Sequence, residues 1–251
     1  MMRIIKLYCR HVLVVMVAAY SMPASAEILW QTYSVSYLKG NHYRVGDPQR
    51  EVYTFEYAAS TSWGDSFMFW DHVIASSGTS TNYGEWSPRL SLCKNKLLCL
   101  QQADEQGWLK DTMLSATIEM GEGFTNYLYG VGLQFRVPGF RYANLDFYRR
   151  DNDETEDNWQ TTFTWAYPFE VAGQVFLYDG FVDWFSTTQD QRSSLHWTSQ
   201  LKWNLGENFK LNSPLYIGVE YTYWHNKFGI KDSEAFPTDE SNANLLIKWH
   251  F

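Results

Sequence analysis

The chain has 251 residues, a formal net charge of -8 and an aromatic content of 18%. So acidic a chain is a poor nucleic-acid binder, because that binding depends on Lys and Arg side chains that neutralise phosphates. After residue 26 there is no run of about 18 apolar residues, which excludes a transmembrane helix there. The high Trp and Tyr content is typical of membrane barrels, which carry these residues in belts at both interfaces.

The first 26 residues have the three parts of a secretory signal peptide. A basic start precedes an apolar stretch at 12–19 and the small-residue cleavage motif Ala24-Ser25-Ala26. The apolar stretch is too short to span a bilayer as a helix, which disfavours an anchor, and Cys9 lies too far upstream for a lipoprotein. Removal of residues 1–26 takes away three basic residues and no acid, so the net charge of the predicted domain, residues 27–251, falls from -8 to -11.

The dominant pattern in the rest of the chain is alternation with a period of two, which predicts β-strands whose two faces differ. Between Pro214 and Trp224, every second residue from Leu215 is apolar or aromatic, and the residues between are mostly small, polar or acidic. Twelve strands are predicted, or ten if the weaker strands at 83–92 and 109–120, the fourth and fifth, are wrongly divided. The predicted strands cover approximately 28–39, 51–61, 66–75, 83–92, 109–120, 125–136, 141–150, 159–167, 173–185, 193–204, 214–226 and 241–251.

The connections help to separate a membrane barrel from a soluble sandwich or lipocalin, which also has alternating strands. Short turns are predicted at 62–65, 137–140 and 167–170, in strict alternation with longer polar loops, as in barrels with short periplasmic turns and long external loops. The longer loops are predicted at 40–50, 75–82, 151–158, 186–193 and 226–240. The acidic run 151–157 is interpreted as a solvated loop rather than a calcium site, because no Gly stands at the sharp-turn position.

Two cysteines remain after the signal peptide, Cys93 and Cys99, six positions apart. In an oxidising compartment they either close a small disulfide loop or stay as free thiols, and the sequence favours neither. A metal site is disfavoured because no His or third Cys lies nearby, and no cofactor is predicted.

The end of the chain indicates the compartment. Ala243, Leu245, Ile247, Trp249 and Phe251 are apolar or aromatic at every second position, which resembles the C-terminal signal read by the outer-membrane assembly machinery. The sequence therefore predicts an all-β protein, a transmembrane antiparallel β-barrel in the bacterial outer membrane. Its expected partners are outer-membrane lipid and lipopolysaccharide, the barrel assembly machinery and a small-molecule solute.

The strand phases predict which side chains face the lumen. Asp71 should not face lipid, so Phe67 and Phe69, on the same face of their strand, are placed in the lumen with it. Aromatic rings beside acids suit a solute that stacks through a flat face, although the rings could equally fill a narrow lumen while the charges pair with one another. The predicted inward set comprises Thr54, Glu56, Ala58, Glu85, Ser87, Arg89, Tyr142, Asn144, Asp146, Tyr148, Val175, Leu177, Asp179, Phe181, Asp183, His196, Lys202, Glu220, Asn242, Asn244, Lys248 and His250, with Leu246 as an apolar exception.

Residues 27–92 carry a series of segments that, in this order, resemble a known family. They are Trp30 to Leu38, Tyr53 to Ala58, the Trp63-Gly64-Asp65 turn, Phe67 to Asp71, and Glu85 to Ser91, the last with the Glu-x-x-Pro-Arg motif. The chain resembles the nucleoside-specific channel-forming family of outer-membrane proteins, the Tsx and OmpK group. The resemblance implies a monomeric twelve-stranded barrel that passes nucleosides. It also implies lumen binding residues at Glu56, Phe67, Phe69, Asp71, Glu85 and Arg89.

Two other functions are weighed. Some members of the resembled family also serve as phage receptors, so the main alternative is a surface protein that binds bacteriophage through loops 40–50, 151–158 and 226–240, with little solute specificity. An enzyme is disfavoured, because His72, His196 and His225 lack a recognisable nucleophile context. No plug-like segment precedes the predicted strands, which favours passive diffusion.

Overall fold

The computed structural model describes residues 27–99 and 107–251, and the predicted signal peptide, residues 1–26, lies outside the described residues. In the described part, twelve antiparallel strands form one closed barrel in which each strand pairs with its neighbours in sequence and β1 closes against β12. This confirms the predicted fold class and the strand count of twelve. The strands are β1 (Ile28–Gly40), β2 (Arg50–Thr61), β3 (Gly64–Ala75), β4 (Ser80–Ser91), β5 (Leu109–Gly121), β6 (Phe124–Phe135), β7 (Tyr142–Asp151), β8 (Trp159–Val171), β9 (Gln174–Phe185), β10 (Ser194–Asn204), β11 (Leu215–His225) and β12 (Glu240–His250).

An even number of strands brings both ends of the barrel-forming chain to one rim, which we call the periplasmic end. The opposite, external end carries six loops, L1 to L6, at 41–49, 76–79, 122–123, 152–158, 186–193 and 226–239. The predicted strict alternation of short turns and long loops is wrong. At the periplasmic end the connections 92–108 and 205–214 are long, and the second contains a short helix, α1 (Leu205–Asn208), whereas L3 has only two residues. Within residues 27–99 and 107–251, no helix is long and apolar enough to cross a membrane.

The turn predicted at 167–170 is also wrong, since β8 continues to Val171. The pairing of β8 with β7 ends at Ala166, so Pro168 has no strand partner on the β7 side. A proline lacks a backbone N–H, and at this position no hydrogen bond is lost by its absence. The chain reverses instead at Ala172 and Gly173, both with positive φ (51° and 75°), which suits the twist of a two-residue hairpin turn.

The alternation of faces follows the predicted phases along β12 and its neighbours. Val219 is 48% exposed and pairs laterally with Leu201 and Leu245, which are 49% and 53% exposed, so an apolar patch faces outward at mid-strand. Only a closed sheet satisfies all of its strand hydrogen bonds in lipid, and such a sheet needs this apolar exterior. Leu246 faces inward and is fully buried.

The long periplasmic connection between β4 and β5 is fastened to the adjacent turn. Cys93 and Cys99 form a disulfide, which resolves the alternative that the sequence left open. The Lys94 ammonium donates to the Thr61 carbonyl at 3.0 Å, and the Asn95 amide donates to the Trp63 carbonyl at 2.8 Å. The first part of the connection, residues 92–99, is therefore held against the turn between β2 and β3.

The external loops are joined to one another around the rim, largely by carboxylates that accept backbone N–H groups. L1 is bonded to L2, L4 to L5 and L5 to L6, whereas L3 and L4 accept from the strand residues Asn82 in β4 and Thr125 in β6, and L1 is bonded to the first residue of β12. The bonds run from Ser77 to Asp47 at 3.0 Å, Asn82 to Glu122 at 3.1 Å, Thr125 to Asp153 at 3.4 Å, Glu156 to Asp190 at 3.0 Å, Arg192 to the Gly229 carbonyl at 2.8 Å, and Arg44 to Glu240 at 2.5 Å. This interlocked rim is expected to be stiffer than six independent loops.

Because carboxylates accept most of the bonds between the loops, we expect the external loops to lose order when acid protonates these groups. The Gln49 amide, followed by the Ser76 hydroxyl and the Ser77 amide, holds the pKa of Asp47 below its usual value, and amides from Asp239 and Thr238 do the same for Asp232. A lowered folded-state pKa adds stability that is complete well above the unfolded value of about 3.9 and is lost as the pH falls through the folded value.

We therefore expect the Ser77 and Thr238 amides to lose hydrogen-exchange protection between about pH 5 and pH 2, while the Val219 amide in β11 stays protected. The exchange rate of each amide is divided by its intrinsic rate at the same pH, because intrinsic exchange itself depends on pH. Asp47→Asn provides the matched control, since an amide oxygen still accepts but does not titrate, and Ser77 protection in this variant should not depend on pH. Unchanged protection of Ser77 in the parent protein at low pH would contradict the prediction.

Candidate functional site

The six residues predicted to contact solute all face the lumen from three consecutive strands, β2, β3 and β4. Strand register places Glu56 opposite Phe69 and Phe69 opposite Glu85, so these side chains form one row across the wall. Phe67 and Asp71 lie one step below and above Phe69 on the same face of β3. Arg89 lies nearest the periplasmic end, opposite Asp65. We call this surface the ladder wall.

Four aromatic rings form a series that rises from the ladder wall to the first residue of β6, toward the external end. Successive centroids are 6.2 Å apart from Phe67 to Phe69, 5.9 Å from Phe69 to Tyr83, and 6.5 Å from Tyr83 to Phe124. Phe67 is 42% exposed although it faces inward, so open lumen lies in front of its ring. The sequence interpretation missed Tyr83 and Phe124, although Tyr83 stands two residues before Glu85 and therefore shares its face. These rings form a continuous apolar track beside polar groups.

At the periplasmic end, Arg89 bridges part of the lumen. Its guanidinium holds Asp65 on β3 through two hydrogen bonds of 2.7 and 2.9 Å and reaches Asp146 on β7 at 3.3 Å. Gln134 on β6 also donates to Asp65, at 2.8 Å. A Cβ atom at Gly132 would lie 2.2 Å from the Asp146 carboxylate, so a residue without a side chain leaves the room that Asp146 needs. We call these four polar residues the periplasmic bridge.

A second charged group lies on the wall formed by β9 to β12 with β1 and β2. Lys248 binds the Glu56 carboxylate, which also accepts from the Ser34 hydroxyl at 2.9 Å. Lys202, almost fully buried, binds Asp179 at 2.7 Å. For Glu56 and Arg89, the alternative that lumen charges pair with one another therefore holds, and their carboxylate and guanidinium groups are already engaged.

Asp71 and Glu85 differ from that pair, because among the described residues neither has a cation within ion-pair distance. Asp71 accepts from the Thr54 hydroxyl and Glu85 from the Tyr83 hydroxyl, both at 2.6 Å. Asp183 on β9 and Glu220 on β11 likewise accept only from neutral side chains, while the lumen cations Arg89, Arg150, Lys202 and Lys248 are each paired with a carboxylate. The described lumen is therefore net acidic.

A second aromatic group lies on β9 to β11, near the external end. The His196 ring stacks on Trp224 with centroids 3.7 Å apart, and Phe181 contacts His196 edge-on at 4.9 Å. His196 was predicted to face the lumen and does so, but its ring is packed between two aromatic neighbours. Among the described residues, no group of three or more His, Cys, Asp or Glu side chains is arranged to hold a metal ion.

Solved structures of KdgM porin share this fold. A KdgM porin matches with a TM-score of 0.50 and 10% sequence identity, over 87% of this chain and 99% of that one, and a structure of KdgM porin in complex with disordered oligogalacturonate matches with the same values. The chain has the fold of an outer-membrane porin. Pseudomonas aeruginosa OccK11 (OpdR) also matches, with a TM-score of 0.36 and 10% identity, over 86% of this chain and 63% of that one.

The porin fold and the apolar exterior place this protein in the bacterial outer membrane. No protein-family model matches the sequence, and no curated protein matches it significantly. The comparisons therefore bear on the fold, and not on the nucleoside-specific family that residues 27–92 resemble.

Proposed function

We propose that this protein is a passive outer-membrane channel for small amphipathic solutes with a flat face, and that nucleosides are the class it prefers. The observation that carries the proposal is the row of four lumen rings with Asp71 and Glu85 beside them, free of cations among the described residues. A nucleoside could stack its base on a ring and donate its sugar hydroxyls to these carboxylates. Stacking contributes about 1–3 kcal/mol per base, which is weak enough for a solute to leave one ring for the next.

The charge of the lumen favours neutral or cationic solutes over anions. Rings of Asp and Glu side chains are the usual basis of cation selectivity in channels. The neighbouring KdgM porin was solved with oligogalacturonate, an acidic sugar chain. In the present lumen Asp71, Glu85, Asp183 and Glu220 have no cation partner among the described residues, so this lumen is a poor match for an acidic chain.

The test is liposome swelling with purified protein. We expect nucleosides to enter faster than sugars of similar size, and Phe69→Ala or Asp71→Ala to lower nucleoside entry several-fold, because each removes one stacking or hydrogen-bonding contact worth about 1 kcal/mol or more. Trp70→Ala is the matched control, since Trp70 lies between these residues in β3 but is on the outward face, 42% exposed. Equal entry of nucleosides and sugars would remove the specificity and leave a narrow diffusion pore.

A further inference from the structure

Loop L1 is folded into a compact shape by Arg50, the first residue of β2. The Arg50 guanidinium donates to the Val45 carbonyl at 2.6 Å and to the Asp47 carbonyl at 2.8 Å, and it lies 4.8 Å from the centre of the Tyr43 ring. The Tyr43 amide donates to the Pro48 carbonyl at 3.2 Å, which closes the loop on itself. The position of Tyr43 is thus fixed by contacts within L1 and with Arg50.

L1 is also fastened to lumen-facing side chains of β12. The His42 amide donates to Asn242 at 3.1 Å, and the Arg44 amide donates to Glu240 at 2.5 Å. Both acceptor side chains face inward from β12 and are almost fully buried. Because these two bonds flank Tyr43, they hold its backbone against the inner surface of the barrel.

The Tyr43 side chain reaches deeper than the backbone of L1. Its phenol lies close to Asn244, two residues further along β12 toward the periplasm, and close enough to Glu220 on β11 and Glu240 on β12 for their negative charges to act on it. Burial, followed by these negative charges, raises the pKa of the Tyr43 phenol well above its usual range. The ring therefore lies inside the lumen, below the external rim.

L6 covers the same side of the mouth. Lys227 is 5% exposed, its ammonium binds Glu240 at 2.6 Å, and it lies 5.9 Å from the Tyr43 ring and 5.5 Å from the Trp224 ring. The β11, β12 and β1 side of the entrance is thus filled by groups from two loops. The upper end of the aromatic track, at Tyr83 and Phe124, lies on other strands, β4 and β6.

We propose that Tyr43 is the size-selecting residue at the external mouth, where its ring narrows the entrance and directs solutes onto the ladder wall. Pore diameter and the groups lining the narrowest point decide which solutes pass a channel. The proposal rests on the proposed function only in requiring that the barrel conducts. It does not depend on a preference for nucleosides.

The test is single-channel conductance in KCl together with swelling of liposomes in neutral sugars of increasing size. Replacing the ring with a methyl group in Tyr43→Ala should raise conductance by about twofold and admit larger sugars, whereas Tyr43→Trp should lower both. Tyr43→Phe keeps the ring and should leave the size limit unchanged. Tyr53→Ala is the matched control, because Tyr53 lies in the same hairpin but is on the outward face, 44% exposed.

The two opposite changes keep the test decisive even if one variant fails to assemble, which a heat-dependent gel shift reports. Conductance and size limit that stay at parental values in whichever of Tyr43→Ala and Tyr43→Trp assembles would overturn the proposal, as would an equal change in Tyr53→Ala. A parent protein that conducts no ions would overturn the channel function itself. A parent that conducts without preferring nucleosides would refute only that preference and leave the role of Tyr43 to be judged by its variants.

Discussion

Val219→Arg is expected to lower the free energy of unfolding by roughly 2–4 kcal/mol, the cost of an arginine near the bilayer midplane on the outer face of a barrel. Val219 is the fifth of eleven residues in β11 and lies between Leu201 and Leu245 on that face. The guanidinium would have to reach the interface from the middle of an apolar patch. Much of the variant should therefore fail to assemble in cells.

The measurement is reversible unfolding in urea from lipid vesicles, followed by tryptophan fluorescence. Val219→Ala is the matched control, because it shortens the side chain without adding charge and should cost far less. A Val219→Arg protein as stable as the parent would show that this face does not contact lipid hydrocarbon. The inward and outward faces assigned to β11 and to the strands paired with it would then have to be exchanged.

Arg89→Gln is expected to have the largest effect of any change within the lumen. The variant leaves Asp65 and Asp146 without their shared cation, and breaking a buried ion pair by removing one partner costs about 3–5 kcal/mol. Asp146 is almost fully buried and retains its bond from Ser115, so we expect the lower end of that range. The two released carboxylates should also increase the permeability of cations relative to anions.

Urea unfolding and the reversal potential in a salt gradient measure these two effects. Arg89→Lys separates charge from geometry, because an ammonium keeps the charge but cannot hold Asp65 through two parallel bonds. It should preserve ion selectivity while losing part of the stability. If Arg89→Gln leaves both quantities unchanged, the periplasmic bridge is not formed in the membrane.

Much of the fold could be predicted from the sequence, because a two-residue period directly reports which face of a strand each residue occupies. The terminal strand is the clearest case: the alternate apolar residues from Ala243 to Trp249 are exposed, and Asn242, Asn244 and Lys248 are buried in the lumen, as the period predicts. The same period placed Glu56, Phe69 and Glu85 on one face of their strands, and the register of β2 to β4 makes them neighbours.

Other features depend on information that periodicity does not contain. Pro168 indicates a turn locally, yet β8 accommodates it because the strand beside it has already ended. The link from Arg89 to Asp146 joins β4 to β7, and no local pattern reports which side chains meet across a lumen. Tyr43 lies in a polar loop where a single ring carries no signal, and only the bonds of its neighbours to β12 show that the loop turns inward.

The join between the first and last strands has a consequence for how the protein can change. It has only six register pairs, fewer than any other strand pair in the barrel. Lys248 on β12 binds Glu56 on β2, so this ion pair crosses both the join and strand β1. Nearer the external end, the bonds from L1 to Asn242 and Glu240 also connect the two sides of the join. Substitutions there alter the pore and weaken closure together. Phe67 and Phe69 lie on β3, which takes no part in the join, so solute preference can evolve at these two positions without opening the barrel.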